Sequence, residues 1–289
     1  TMNPAHNILY IDTADGLDGL CATLRTADWI ALDTEFLREK TYYPKLCLLQ
    51  IATPDSVACI DPLSLDDLSP LLELLFDEGI TKVMHSGRQD MEIFFHLAGK
   101  LPSPVFDSQI AALMLGYPEQ VGYASLVKGE LGIELDKLHT RADWTLRPLS
   151  EDQIQYAADD VIYLVEIYQQ LREKLAALGR SDWLLEDFER LTSADLYRNP
   201  PEDAWLKVKG GNRLRGSSLS IMQSLAHWRE RFFRHLEEVR SLGYSREFTR
   251  MWEYYLCYCE GGFRENYLGT VQMVLSKPGV RCHLTASRG

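Results

Sequence analysis

Residues 29–36 read Trp-Ile-Ala-Leu-Asp-Thr-Glu-Phe, an apolar run that ends in two carboxylates, Asp33 and Glu35. Such a run predicts a strand, and side chains two apart on a strand leave the same face. The fold must therefore bury the start of this element and still accommodate two acidic groups side by side at its end. Two like charges in such a place call for a cation. Taken alone, a D-x-E pair is more often a solvated strand end, so its meaning depends on what the rest of the chain supplies.

The flanking sequence predicts an α/β fold. Residues 46–52 and 57–60 read as two further strands separated by Thr53-Pro54-Asp55-Ser56, which gives a meander. Residues 68–76 have helical periodicity, 82–85 form a short strand, and 88–98 form a helix stopped by Gly99. Helices are expected over 108–115, 123–131 and 150–175, the last opened by Ser150 with Gln153 three residues on, a capping box. Strands first and alternation later predict a mixed sheet covered by helices around one core of about 200 residues. Arg198-Asn199-Pro200-Pro201-Glu202-Asp203 reads as a linker, because two adjacent prolines cannot continue a helix. It divides a domain over 1–200 from a segment over 201–289, in which 219–240 and 246–258 look helical.

Three more positions join the acidic pair. Tyr156 and Asp160 lie four apart on the long helix and hence on one face, where a phenol beside a carboxylate can position a water. Asp90 falls in the first turn of a helix that follows a strand. The bland alternatives are a surface Asp on an amphipathic helix and, for Asp90, complementarity to the helix dipole. His85 and Arg88 read as packing or solvated residues. Together, four acidic groups and one Tyr from three separate elements match the needs of a two-metal phosphodiester hydrolase: oxygen ligands for hard cations and a group that orients water.

These residues also carry a resemblance. Residues 32–51, Leu-Asp-Thr-Glu-Phe-Leu-Arg-Glu-Lys-Thr-Tyr-Tyr-Pro-Lys-Leu-Cys-Leu-Leu-Gln-Ile, resemble the first exonuclease motif of the ribonuclease D family, within the DEDD superfamily of 3′-to-5′ exonucleases. Residues 82–94 resemble the second motif. Asp143-Trp144-Thr145-Leu146-Arg147-Pro148-Leu149 with Tyr156-Ala157-Ala158-Asp159-Asp160 resembles the third, in its DEDDy version, which has Tyr four residues before the last Asp. The resemblance implies a ribonuclease-H-like fold, two Mg²⁺ or Mn²⁺ ions, and removal of nucleotides from RNA 3′ ends, with tRNA precursors as substrate. It implies that Asp33 is shared by both metals, that Glu35 and Asp160 bind the metal that activates water, and that Asp90 serves the second metal. It further implies that Tyr156 orients the attacking water.

A net charge of -12 at first argues against a polyanionic partner. The charge is divided, however. Residues 201–289 carry 14 Lys and Arg against 9 Asp and Glu, net +5, which leaves 16 against 33, net -17, for residues 1–200. An acidic body suits divalent cations and a basic appendage suits phosphates. Residues 204–230 resemble the start of the helical HRDC domain that follows the nuclease in ribonuclease D, and there Lys207, Lys209, Arg213 and Arg215 are candidate RNA contacts. Residues 231–278 resemble instead the C-terminal end of cyclopropane-fatty-acid synthases, which are S-adenosylmethionine-dependent methyltransferases. That tail spans only about 50 residues, too few for a catalytic core, and no G-x-G loop for the cofactor occurs in the chain.

The alternatives to an exoribonuclease are a nucleic-acid-binding module with an impaired site and a fragment of a lipid methyltransferase. The six cysteines form no C-x-x-C pair, so neither a zinc site nor a disulfide framework is expected. With 46% hydrophobic and 25% charged residues and no long apolar stretch, the sequence reads as a globular cytoplasmic monomer without a membrane span.

Overall fold

The computed structural model describes residues 7–38, 43–135, 142–198, 200–208 and 213–264. The chain divides between Arg198 and Asn199 into two compact units. In the first, six strands form one mixed sheet: β1 (Ile8–Ile11), β2 (Trp29–Leu37), β3 (Lys45–Thr53), β4 (Ser56–Ile60), β5 (Thr81–Met84) and β6 (Val105–Asp107), in the order β1-β4-β3-β2-β5-β6. β2, β3 and β4 form the expected antiparallel meander, while β1 on β4, β5 on β2 and β6 on β5 pair in parallel. The strand that carries Asp33 and Glu35 is thus interior to the sheet.

Alternation along the strands divides the core in two. On β2, Ala31 packs with one apolar cluster while Ile30 and Leu32 pack with the other. The first cluster is closed by α6 (Glu151–Ala177), whose Ala157, Ala158, Val161 and Leu164 lie against Ala31, Leu48 and Cys59. Small residues at 157 and 158 let this helix approach the strands closely. The predicted capping box is present: the Ser150 hydroxyl accepts from the Gln153 backbone N–H, and the Gln153 side chain accepts from the Ser150 N–H. α4 (Ser108–Met114) and α5 (Tyr123–Leu131) join this face. The second cluster is closed by α1 (Ala14–Leu24), α2 (Ser69–Leu75) and α3 (Arg88–Ala98). α7 (Leu185–Leu191) completes the unit.

A lysine sits inside this framework. Lys82 on β5 is fully buried and donates to the carbonyls of Asp77, Ile80 and Ser103 at 2.6–2.7 Å, while burial pulls its ammonium down to about 8. Each of its three donors is matched by a backbone acceptor, which is how a buried lysine is tolerated.

The second unit is helical: a 3₁₀ segment (Pro201–Lys207), α8 (Gly216–Arg234), α9 (Leu236–Ser241) and α10 (Arg246–Arg264). Sequence periodicity predicts one helix over 219–240. The chain instead breaks at His235, whose backbone (φ -105°, ψ 20°) leaves the helical region between α8 and α9. Leu214, Met222 and Ala226 pack with Ala204 and Val208 in a small core of its own. Arg213 and Arg215 are exposed, nothing is described of the Lys207 side chain, and Lys209 lies outside the described residues, as does the tail beyond 264. No described helix is long and apolar enough to cross a membrane. The five described cysteines are free thiols.

Candidate active site

Asp33 and Glu35 are partly buried on β2, with Thr34 between them facing the other way. Asp90 is buried in the first turn of α3 and accepts a short hydrogen bond from the Thr34 hydroxyl. Asp160 enters from α6 on the first face. Asp33 lies within electrostatic reach of Asp90, Asp160 and Glu35, and Glu35 within reach of Asp160 and Asp90. The structure therefore gathers the four acidic residues from three elements. Among the described residues no group of three or more Asp, Glu, His or Cys side chains is arranged to hold a metal ion, so the four carboxylates are neighbours and not a formed coordination shell.

The electrostatics of this group are unusual for carboxylates. Burial first, and then the charges of Asp90, Asp160 and Glu35, push Asp33 well above the ordinary range. Glu35 is raised to about 8 by burial and by Asp160 and Asp90, and Asp160 to about 7 by burial and Asp159. Asp90 is raised by burial to about 6, although the Thr34 hydrogen bond opposes the shift. Like charges held together out of water hold protons unless a cation replaces them. Oxygen ligands of this kind suit hard divalent ions, so the donor set fits Mg²⁺ or Mn²⁺.

The turn that delivers Asp90 is fixed from the neighbouring strand. Asp107, at the end of β6, accepts backbone N–H groups from Ser86 (3.1 Å), Gly87 (2.8 Å), Gln109 (2.8 Å) and Ile110 (3.4 Å). One carboxylate thus caps α4 and holds the entry to α3. Ser86 takes a left-handed conformation (φ 58°), and a Cβ on Gly87 would come within 2.8 Å of the Met84 sulfur, so the turn requires glycine at 87. His85 is committed to the scaffold. Its Nε2 lies 3.1 Å from the Val121 carbonyl, which can only accept, so Nδ1 accepts from the Ser108 hydroxyl at 2.9 Å, and burial lowers its pKa.

Tyr156 lies one turn before Asp160 on α6, its ring stacked on Trp144 with centroids 6.3 Å apart and planes at 29°. The loop carrying Trp144 is clamped by Arg147. Its guanidinium donates to both Asp61 oxygens (2.6 and 2.7 Å), to the Cys47 carbonyl on β3 (2.7 Å) and to the Trp144 and Leu146 carbonyls. Burial alone would raise Asp61, but hydrogen bonds from Arg147, Tyr10 and Ser64 outweigh it and hold that carboxyl well below the usual range. Tyr123 of α5 is a further neighbour. Its hydroxyl donates to the Asp159 carbonyl at 3.1 Å, and burial followed by the charges of Asp160 and Asp33 pushes the phenol well above its ordinary value.

Sequence reasoning passed over Thr34, Asp107, Tyr123 and the Arg147–Asp61 pair. Asp107 carried a readable signal, an Asp just before a helical run; the others are contacts between distant segments. Beside the first turn of α3 a cleft of about 780 Å³ is lined by two arginines, Arg88 and Arg190, and three carboxylates, Asp107, Glu119 and Asp187, with glutamines between them.

Residues 8–176 match the family described as 3′-5′ exonuclease. The crystal structure of Escherichia coli RNase D, described as an exoribonuclease involved in structured RNA processing, superposes with a TM-score of 0.72 at 36% identity, over 94% of this chain and 80% of that one. The chain belongs to the ribonuclease D family of 3′-5′ exonucleases. A family relative, ribonuclease D of Sphingobium indicum, is 47% identical over 212 residues, which is 73% of this chain and 54% of that protein. The chain spans about half the length of the curated relatives it matches. Brucella melitensis NrnC with bound Mg²⁺ is similar at 28% identity and a TM-score of 0.54, over 65% of this chain and 89% of that one. A second description, mycolic acid cyclopropane synthetase, matches residues 203–273. That likeness begins well before residue 231, the start expected from sequence, and takes in most of the stretch read there as the beginning of an HRDC domain.

Proposed function

We propose that this chain is a metal-dependent 3′-to-5′ exoribonuclease that releases nucleotides from RNA 3′ ends, with precursors of tRNA as its substrate class and two divalent ions at the acidic cluster. The observation that carries this reading is the convergence of Asp33, Glu35, Asp90 and Asp160, from β2, α3 and α6, with all four carboxyls raised in pKa. Asp33 and Glu35 with Asp160 would hold one ion, and Asp33 with Asp90 the other. Bound there, the ions supply charge neutralisation at the phosphate and activation of water.

The remaining work falls to the chain. Tyr156, held by the Trp144 ring, directs the attacking water at the terminal phosphodiester. Thr34 keeps Asp90 aimed through its hydroxyl. The cleft beside α3 receives the nucleotides upstream of the scissile bond, where the exposed Arg88 meets backbone phosphate. In the second unit Arg213 and Arg215, with Lys207 and Lys209, add phosphate contacts. The enzyme acts as a cytoplasmic monomer.

The deciding experiment is mononucleotide release from a single-stranded RNA with a free 3′ hydroxyl, with Mg²⁺ or Mn²⁺ and with chelator. Release is expected only with metal, proceeding from the 3′ end, and Asp33→Asn is expected to abolish it while the protein stays folded. Near-normal release by Asp33→Asn would sink the assignment.

A further inference from the structure

On β3 every residue from Leu46 to Ala52 is buried, and all but one are apolar or thiol. The exception is Gln50, which is 0% exposed, and among the described residues neither its Nε2 nor its Oε1 has a hydrogen-bond partner. An amide buried without partners is destabilising, because the hydrogen bonds it made to water are not replaced. Leu or Met would fill the same volume without that cost. The position therefore runs against stability, and its surroundings suggest why.

Gln50 stands directly opposite Asp33 in the β2–β3 pair and opposite Cys59 in the β3–β4 pair. Residues directly opposite in an antiparallel pair project from one face with Cβ atoms about 4.5–5.5 Å apart. That face is the one under α6: Leu48 and Ala52, two residues either side of Gln50, pack in the cluster that contains Cys59, Ala157 and Ala158. The Gln50 amide is a donor with no other engagement beside an acceptor.

We propose that Gln50 is a positioning residue for the acidic cluster: with a divalent cation in the cluster, its Nε2–H donates across the β2–β3 pair to the Asp33 carboxylate and so fixes the direction in which Asp33 presents its lone pairs. The proposal rests on reading Asp33 as a metal ligand. Groups that orient a ligand in this way typically change metal affinity or activity about 10–100-fold when removed.

The test uses the full chain with Gln50→Met and Gln50→Leu, which keep volume and remove the amide. In chelator, both variants are expected to unfold at the same temperature as the unmodified protein or higher, because an unsatisfied polar group has gone. Calorimetric titration with Mn²⁺ should show affinity weakened about 10–100-fold, and release at limiting Mn²⁺ should fall with it and recover at high Mn²⁺. Titration curves within twofold of the unmodified protein would overturn the proposal. So would a clear drop in the metal-free unfolding temperature of both variants, which would make Gln50 a packing residue. The titration needs no turnover. An unmodified protein that binds Mn²⁺ but releases no nucleotide would defeat the exonuclease reading, while the affinity ratio still judges Gln50.

Discussion

Thr34 and Asp90 are hydrogen-bonded across 56 residues of chain, the hydroxyl of the central strand meeting the carboxylate at the start of α3. This bond joins the two halves of the acidic cluster from the face opposite Asp33 and Glu35. It also restrains the upward shift that burial imposes on Asp90. Thr34→Val keeps the shape and removes the donor. Turnover is expected to fall about 10-fold, with the acidic limb of the pH–rate profile moving to higher pH as Asp90 becomes harder to ionise. A profile that keeps its limb in place would show that the bond does not tune Asp90.

The raised carboxyls make stability depend on pH in a definite direction. Free Asp and Glu titrate near pH 4, whereas Asp90, Asp160 and Glu35 do so at about 6, 7 and 8, and Asp33 well above its ordinary value. The folded protein thus binds protons that the unfolded chain has released. The stability this contributes is fully present below about pH 4 and is lost as pH rises through about 6 to 8. In chelator, Tm at pH 8 is expected to lie below Tm at pH 5.5. Added Mg²⁺ or Mn²⁺ should raise Tm at pH 8 by binding the folded form and do much less at pH 5.5. A flat or rising Tm in chelator over this window would contradict the coupling described.

Arg147 closes the loop that seats Trp144 on Tyr156, and its partner Asp61 is almost fully buried. Arg147→Lys cannot reproduce the two-pronged contact. The substitution is expected to cost about 3 kcal/mol in urea unfolding, the scale for a buried carboxylate that loses its partner. Because Asp61 is held below its ordinary value, the stability it contributes is present above about pH 4 and lost as pH falls below that. Acid unfolding of Arg147→Lys should therefore be less steep than that of the unmodified protein. An Arg147→Lys protein as stable as its parent would show the clamp to be dispensable.

Arg88 is exposed on the wall of the cleft, two residues before Asp90. Arg88→Ala is expected to raise KM for RNA about 5- to 10-fold with kcat nearly unchanged, as for the loss of one phosphate contact. The salt dependence of KM should become shallower. A fall in kcat at constant KM would place Arg88 in the chemical step instead.

Much of the site was legible because its residues sit on elements with strong local signals. The apolar run into Asp33 marked β2, and Ser150 with Gln153 marked the start of the helix that carries Tyr156 and Asp160. β1 and α1 escaped for physical reasons: β1 has four residues, and Gly16 and Gly19 dilute the helical pattern of α1 despite the Thr13 cap. β6 is three residues long and cannot show periodicity. The contacts that organise the site, Thr34 with Asp90 and Arg147 with Asp61, join segments 56 and 86 residues apart, and no window of sequence contains both partners. In the second unit the helix expected over 219–240 failed at His235, where composition alone gave no break.

α6 carries Tyr156 and Asp160 on the same 27-residue helix that covers β2, β3 and β4. An inserted residue turns everything beyond it by about 100°. A single insertion between 156 and 160 would thus swing these two side chains apart while also pulling Ala157 and Ala158 off the strands. An insertion after the helix ends, near Gly179, would disturb neither. The spacing of these two groups is consequently inherited as a unit with the core: engineering can lengthen the loops on either side, but it cannot adjust the distance between the Tyr156 phenol and the Asp160 carboxylate without rebuilding the sheet's cover.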